Sequence, residues 1–173
     1  EGYFETPFEN ISAEKSIQEN HIQQHAEVRL GFIEFNKFCI KNDITIVIVS
    51  RGLDYYIESV LSKYGITNIP VFSVPTEFTG EKMKIIPKYT DANCNQWGIC
   101  KCSVLEKYRK SSDVIIYIGD GQNDLCPARK SNIIFARDAL LRHCKQEDID
   151  FFRFSDFTSI QTEVMKLIEE NND

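Results

Sequence analysis

The sequence has no long hydrophobic run, no basic N-terminal region followed by an apolar stretch, and no paired cysteines at the usual zinc-motif spacing. A membrane-spanning helix needs ~20 apolar residues, whereas the longest candidate here, residues 44–49, has the length of a strand. We therefore expect neither a membrane span nor a secretory signal. The first residue is Glu1 and not Met, which suggests a fragment, a processed form or missing earlier residues.

Positive charge is in deficit. The chain has 20 Lys and Arg against 26 Asp and Glu, which gives a net charge of −6 and a pI near 5.2. A surface of this sign disfavours nucleic acids and anionic membranes as partners. It does not disfavour an anionic small molecule, because a local cationic pocket can override the overall field.

The six cysteines are expected to be reduced, because no export signal is visible and a chain of this size does not need disulfides. The cytoplasm is the expected location. Three of the cysteines, Cys94, Cys100 and Cys102, lie close together in sequence and could hold Zn²⁺ with a fourth ligand. Reduced cysteines in a loop near the substrate are the favoured interpretation, and the sequence does not decide between the two.

Buried strands alternate with amphipathic helices along the chain. The 173 residues suggest one domain, and a hydrophobic fraction of 42% is that of a globular protein. The predicted strands are residues 44–49, 114–118, 132–136 and 151–154, and the predicted helices are residues 10–42, 53–64, 101–110, 125–130, 138–146 and 158–170. This order predicts an α/β fold with a parallel sheet covered by helices. Ligands in such folds bind beyond the carboxyl ends of the strands.

A glycine-flanked acidic loop follows the strand at 114–118. Asp120 stands between Gly119 and Gly121, and Asp124 comes one helical turn later. Glycines allow a tight turn and a close ligand approach, and carboxylate oxygens suit Mg²⁺, which also keeps waters and binds phosphate. The alternative is a simple turn in which Asp124 caps the next helix. The full order of strand, Gly-Asp-Gly-x-Asn-Asp and helix favours the metal site.

Two further residues could contact a phosphate group. Ser50 ends a predicted strand and is followed by Arg51 and Gly52, so its hydroxyl and nearby N–H groups could bind an anion; an ordinary helix cap is the alternative. Lys101 begins a predicted helix, where a positive charge opposes the helix dipole. A phosphate ligand would explain that position, and a solvated surface lysine is the alternative.

These residues occur in the order Ser, Lys, Asp-x3-Asp, which resembles motifs II to IV of the haloacid dehalogenase superfamily and, within it, the phosphoserine-phosphatase-like branch. Residues 100–104 and 135–141 resemble the methionine-salvage enolase-phosphate phosphatases. Residues 119–127 are similar to the phosphoethanolamine/phosphocholine phosphatases. The likeness covers about residues 28–168.

The resemblance implies a Rossmann-like parallel sheet with helices on both faces and a partial small helical cap, with residues 1–27 as the cap segment and residues 28–173 as the core. It implies that Asp120 binds Mg²⁺ and that Asp124 supports the metal or its waters. It implies that Ser50 and Lys101 hold the phosphoryl group, with Arg51 and Gly52 lining its pocket. The expected function is a Mg²⁺-dependent phosphomonoesterase that acts on a small phosphorylated metabolite, which the sequence does not identify.

One family motif is missing from the sequence. Relatives begin with a strand ending in Asp-x-Asp-x-Thr/Val, whose first Asp attacks phosphorus and whose second is the general acid and base. The nearest string, Ser155-Asp156-Phe157-Thr158, lies at the other end of the chain, lacks the second Asp and is interpreted as a helix cap. A missing N-terminal segment or a homodimer partner would complete the sheet. The alternative is a catalytically inactive module that binds Mg²⁺ and phosphate.

Overall fold

The computed structural model of the chain describes residues 14–80, 82–86, 98–110 and 114–170. Their contacts divide the chain into two compact units. The first unit comprises Glu1–Val28 and Thr45–Cys100, and the second comprises Arg29–Ile44 and Lys101–Asp173. No helix within the described ranges is both long and apolar enough to cross a membrane.

In its described residues, the first unit contains two helices and four short strands. They are α1 (Lys15–His25), β1 (Ile48–Leu53), α3 (Asp54–Lys63), β2 (Val71–Val74), β3 (Thr76–Thr79) and β4 (Lys82–Ile85). Strands β1 and β2 pair in parallel, whereas β3 and β4 form an antiparallel hairpin. Asp54, the first residue of α3, connects this helix to β3, because its carboxylate accepts hydrogen bonds from the backbone N–H and the hydroxyl of Thr76.

The second unit contains the remaining helices of the described chain and a three-stranded sheet. In chain order they are α2 (Phe32–Lys41), α4 (Lys101–Arg109), β5 (Ile116–Gly119), α5 (Leu125–Ala128), β6 (Ile133–Ala136), α6 (Asp138–Gln146), β7 (Phe152–Arg153) and α7 (Phe157–Glu170). The sheet order is β5-β6-β7, and both pairings are parallel. A 3₁₀ turn at Gln122–Asp124 connects the end of β5 to α5.

The core of the second unit lies between this sheet and helices α5 and α6. Its fully buried members include Ala136 on β6 and Leu140 and Cys144 on α6. The spacing of Leu140 and Cys144 puts both side chains on one face of α6, which is the face that packs on β6. Because β5 and β6 are fixed against α6 by this contact, the loop after β5 has a defined position.

The α/β class predicted from the sequence is confirmed, with three differences in detail. The strand predicted at 44–49 begins at Ile48 and continues through Ser50, Arg51 and Gly52 to Leu53, so these three residues do not end it. The register with β2 shifts between Val49 and Leu53 instead, which shows that the irregular sequence is accommodated inside the strand. The helix predicted at 10–42 is two helices in its described part, with Gly31 between them at a φ of 79°.

The third difference concerns the sheet. The alternation of strands and helices predicted one parallel sheet, whereas the described strands form two parallel sheets and the β3-β4 hairpin. The hairpin lies at residues 76–85, between the predicted helices at 53–64 and 101–110. The division of the chain into a cap at 1–27 and a core at 28–173 stays a prediction.

Candidate active site

The acidic loop is built around the side chain of Asp124, which is only 3% exposed. One carboxylate oxygen, Oδ2, accepts hydrogen bonds from the backbone N–H groups of Asp120 at 3.0 Å and of Gly121 at 2.7 Å. The other, Oδ1, accepts from the Lys101 ammonium at 2.5 Å and from the Tyr117 hydroxyl at 2.8 Å. An ionised carboxylate has about four acceptor positions, and four donors fill them here.

These contacts determine the charge of Asp124. Burial raises the pKa of the carboxyl, but the Lys101 ammonium, its hydrogen bond, and the hydrogen bonds from Tyr117 and Gly121 outweigh burial and hold the pKa below its ordinary value. The adjacent Tyr117 responds in the opposite direction. Burial, followed by the negative charge of Asp124 and their shared hydrogen bond, raises the pKa of the Tyr117 phenol far above its ordinary value. Tyr117 is therefore a neutral donor at physiological pH.

Lys101 occupies the first position of α4, where the helix dipole disfavours a cation. Its side chain is 16% exposed, and the ion pair with Asp124 compensates its charge. The alternative interpretation of Lys101, as a surface lysine with a solvated ammonium, is therefore wrong. The ammonium is held at the acidic loop, because the Asp124 carboxylate that accepts its hydrogen bond also accepts hydrogen bonds from the loop backbone.

Asp120 differs from Asp124 in exposure and in partners. Its backbone is held on both sides: its N–H binds Asp124, and its carbonyl accepts hydrogen bonds from the N–H groups of Ala139 and Leu140 at 3.0 and 3.2 Å. Its carboxylate is exposed, and no hydrogen bond from the described residues reaches it. A fixed backbone with an exposed carboxylate is a suitable arrangement for a metal ligand.

The carboxylates of the loop fit Mg²⁺ in their chemistry, but they are too few to complete its coordination. Mg²⁺ is commonly held by one or two carboxylates together with waters and substrate phosphate, and Asp120 offers such a carboxylate. Among residues 14–80, 82–86, 98–110 and 114–170, no group of three His, Cys, Asp or Glu side chains could hold a metal by itself. A metal at this loop would therefore need oxygen ligands in addition to the described carboxylates.

The glycines of the loop are explained by Asp124. A Cβ atom at Gly119 would lie 2.8 Å from Asp124 Oδ2 and 2.9 Å from the Tyr117 ring, which is closer than real contacts of this kind. At Gly121 it would lie 3.2 Å from the same oxygen. The two glycines thus leave room for the buried carboxylate of Asp124. Packing as well as backbone conformation therefore favours glycine at both positions.

Ser50, Arg51 and Gly52 belong to the first unit and lie within β1. The Ser50 hydroxyl accepts a hydrogen bond from the Gly52 N–H at 3.0 Å, and a Cβ at Gly52 would lie 3.2 Å from the Ser50 Oγ. Ser50 is not a cap for the following helix, because α3 begins at Asp54 after Leu53 and has no side-chain cap. The alternative considered from the sequence is therefore wrong, and the role of these residues in phosphate binding stays a prediction.

The Asp156 region is a helix cap, as predicted. Asp156 Oδ1 accepts a hydrogen bond from the Ser159 N–H at 3.0 Å, and the Ser159 hydroxyl donates to the Asp156 carbonyl at 2.7 Å. These bonds satisfy donors at the start of α7 that have no partner in the helix. Asp156 therefore does not supply the missing nucleophile.

Two residues next to the loop were missed from the sequence. Tyr117 was counted as an apolar strand residue, although a buried tyrosine usually needs a partner for its hydroxyl, and that signal was available. Cys126 was not singled out; its Sγ lies 2.8 Å from Sγ of Cys102. Of the predicted cysteine cluster, Cys100 is buried in the first unit, and Cys94 lies outside the described residues.

The fold and the acidic loop define the chain as an α/β protein of the haloacid dehalogenase type. A family model described as "Putative Phosphatase" matches residues 6–149, and the chain belongs to that family. It is 34% identical over 146 residues to the 2-hydroxy-3-keto-5-methylthiopentenyl-1-phosphate phosphatase of Bacillus cereus, a match that covers 83% of this chain and 66% of the relative. The enzyme of the same name from Bacillus mycoides is 31% identical over 150 residues, or 86% of this chain and 68% of the relative.

Solved structures agree on the fold. A probable phosphoserine phosphatase from Vibrio cholerae superposes with a TM-score of 0.66 at 16% identity, covering 86% of this chain and 45% of that one. Cytosolic 5'-nucleotidase IIIB bound to cytidine superposes with a TM-score of 0.62 at 18% identity, covering 94% and 60%. The chain thus spans about two thirds of the length of the Bacillus cereus relative and less of these structures.

Proposed function

We propose that the protein is a Mg²⁺-dependent phosphomonoesterase that acts on a small phosphorylated metabolite through a phospho-aspartate. The observation that carries the proposal is the contact set of Asp124, which binds the Lys101 ammonium with one oxygen and the backbone of the acidic loop with the other. This arrangement keeps a cation and the exposed carboxylate of Asp120 in one place. A phosphate ester and a divalent metal require that combination of charges.

In this proposal Asp120 is the direct ligand of Mg²⁺. Asp124 supports the metal through the loop and its waters, because its own acceptor positions are already used by Lys101, Tyr117 and two backbone N–H groups. Bound Mg²⁺ would neutralise charge on the phosphoryl oxygens and orient the phosphate. A metal that coordinated Asp124 directly would have to displace one of the four donors.

Lys101 is proposed to bind a phosphoryl oxygen with its ammonium group. The side chain retains 16% exposure, and an ammonium has three donors, of which the bond to Asp124 uses one. Ser50 is proposed to hold the phosphate with its hydroxyl, and Arg51 and Gly52 are proposed to line the phosphate pocket, on the strength of the family resemblance. Donors of this kind stabilise the phosphoryl oxygens as negative charge develops on them in the transition state.

The nucleophile has to come from outside the 173 residues, since they contain no Asp-x-Asp-x-Thr string. In a phospho-aspartate route, the first Asp attacks phosphorus and displaces the alcohol, which receives a proton from the second Asp. Water then attacks the phosphorus of the acyl phosphate and gives a proton to the second Asp, which breaks the bond to the first Asp and releases inorganic phosphate. We propose that a segment not included in this chain supplies both carboxylates.

The substrate is proposed to be a small ester of the kinds that the relatives hydrolyse. The Bacillus relatives are named for 2-hydroxy-3-keto-5-methylthiopentenyl-1-phosphate, and residues 119–127 also resemble the phosphoethanolamine/phosphocholine phosphatases. These substrates share a primary phosphomonoester and differ in the charge of the organic part. A cytoplasmic location is proposed, in line with six cysteines for which no disulfide is needed.

The test is hydrolysis of p-nitrophenyl phosphate by the protein expressed from its complete coding sequence, with Mg²⁺ and with EDTA. We expect turnover that requires Mg²⁺ and that falls by at least tenfold in Lys101→Ala. Lys107→Ala, an exposed lysine on the same helix, serves as the matched control and should keep the wild-type rate. The two classes of natural ester are then compared by kcat/KM.

Absence of turnover under these conditions, together with retained binding of Mg²⁺ or inorganic phosphate, would identify the protein as a non-catalytic binding module. Turnover that is unaffected by EDTA would contradict the metal part of the proposal. Turnover that is unchanged in Lys101→Ala would contradict the role given to the ion pair.

A further inference from the structure

Two cysteine sulfurs lie side by side next to the Lys101–Asp124 ion pair. The Sγ atoms of Cys102 and Cys126 are 2.8 Å apart. A disulfide has an S–S length of about 2.05 Å, so less than about 1 Å of movement separates the sulfurs from bonding distance. Cys102 is the second residue of α4, and Cys126 is the second residue of α5.

The pair is also accessible, in contrast to other cysteines of the described chain. Cys126 is exposed and Cys102 is half-buried. Cys39 and Cys144 are 1% and 0% exposed, and burial raises the pKa of the Cys39 thiol to about 11 and raises that of Cys144 as well. Oxidants act on accessible thiols. The two requirements for a disulfide, approach and access, are therefore met together at this pair.

We propose that Cys102 and Cys126 are a redox modification site that forms a reversible disulfide when a peroxide is present. The exposed Cys126 sulfur attacks the O–O bond of hydrogen peroxide, which gives a sulfenic acid and one water molecule. The sulfur of Cys102 then attacks the Cys126 sulfur, forms the S–S bond and releases a second water molecule. Two thiols lose two electrons and two protons, and one peroxide is reduced to two waters.

The disulfide would connect α4 to α5, beside the Lys101–Asp124 ion pair, which connects α4 to the 3₁₀ turn that precedes α5. Cys102 follows Lys101 directly, and Cys126 lies two residues after Asp124. Because little movement is needed to form the bond, we expect the ion pair to persist in the oxidised form. The cross-link closes the chain between positions 102 and 126, which restricts the unfolded state and stabilises the folded one. None of this depends on the proposed phosphatase activity.

The test uses the protein expressed from its complete coding sequence, reduced and then treated with stoichiometric hydrogen peroxide. We expect the intact mass to fall by two hydrogen atoms, with dithiothreitol reversing the change, and peptide mapping to recover the Cys102–Cys126 cross-link. Cys102→Ser and Cys126→Ser should each abolish that cross-linked peptide. Cys39→Ala is the control, because it removes a buried thiol and leaves the pair intact.

Thermal unfolding gives an independent readout. Oxidation should raise the Tm of the wild-type protein by on the order of 5 °C, and it should leave the Tm of Cys102→Ser and Cys126→Ser without that increase. Sulfinic acid at Cys126 without a cross-link, a cross-link to another cysteine, or a metal bridging the two sulfurs in native mass spectrometry would each overturn the proposal. An oxidised protein with an unchanged or lower Tm would contradict the stabilising role of the cross-link.

Discussion

Removing Lys101 from its contact with Asp124 should destabilise the protein far more than breaking an exposed ion pair, because the buried carboxylate would be left without its cation. In Lys101→Met the side chain keeps a similar length but loses its charge, and Asp124 stays buried with three donors in place of four. Removing one partner of a buried pair costs about 3–5 kcal/mol. Two effects reduce this cost: the Lys101 side chain is 16% exposed, so part of the site is solvated, and removing a cation from a helix start stabilises the helix by about 0.3–1 kcal/mol. We therefore expect Lys101→Met to destabilise the protein by roughly 2–3 kcal/mol.

The assay is urea unfolding of the complete protein, followed by circular dichroism. The ion pair between Arg129 and Glu147 is the internal control, since its side chains are 53% and 32% exposed, and Arg129→Met should cost under about 1 kcal/mol. A double-mutant cycle with Asp124→Asn isolates the coupling between Lys101 and Asp124. If Lys101→Met costs no more than Arg129→Met, Asp124 does not hold the site together as described.

Three further predictions use the same loop and the cap of α7. Tyr117→Phe removes one donor to Asp124 and should destabilise the protein by about 1–2 kcal/mol in urea unfolding, and an unchanged stability would show that the hydroxyl bond is unimportant. Gly119→Ala should destabilise the protein by about 1–3 kcal/mol, because its Cβ would lie 2.8 Å from Asp124 Oδ2. Ser62→Ala, at an exposed helix position, is the control. Gly65→Ala is not used as the control, because the φ of Gly65 is 65° and any side chain there is strained. The backbone bond from Ser159 and the bond from Ser155 lower the pKa of Asp156 below its ordinary value, so its stabilising contribution is present at neutral pH and is lost as pH falls below about 4. Asp156→Ala should therefore lower Tm more at pH 7 than at pH 3, whereas Asp156→Asn should keep most of the cap, and equal losses at both pH values would contradict this.

Local patterns in the sequence predicted the elements well where the signal is continuous. The helices at 101–110 and 138–146 and the strand at 132–136 agree with α4, α6 and β6 within about two residues. The strand near residue 48 was displaced because glycine has low strand propensity, although residues 50–52 lie inside β1, between residues on both sides that pair with β2. Tertiary pairing overrode local propensity there.

The residues of the candidate site were selected from the sequence, but the contacts between them were not predicted. Lys101, Asp120 and Asp124 were selected from spacing and family resemblance, but the sequence did not indicate that Asp124 would bind Lys101 across 23 positions. The proximity of Cys102 to Cys126 was invisible for the same reason, since it depends on how α4 and α5 pack. Contacts between distant segments follow from the fold as a whole, and periodicity within a segment does not report them.

The central claim, that Asp120 is the metal ligand of a phosphatase, is tested most directly by the Mg²⁺ dependence of p-nitrophenyl phosphate hydrolysis by the complete protein. Asp120→Asn is compared with Gln122→Ala, which changes an exposed neighbour in the same loop. We predict that Asp120→Asn raises the Mg²⁺ concentration needed for half-maximal activity by at least tenfold, or abolishes activity, while Gln122→Ala stays within about twofold of wild type. An unchanged Mg²⁺ dependence in Asp120→Asn would contradict it.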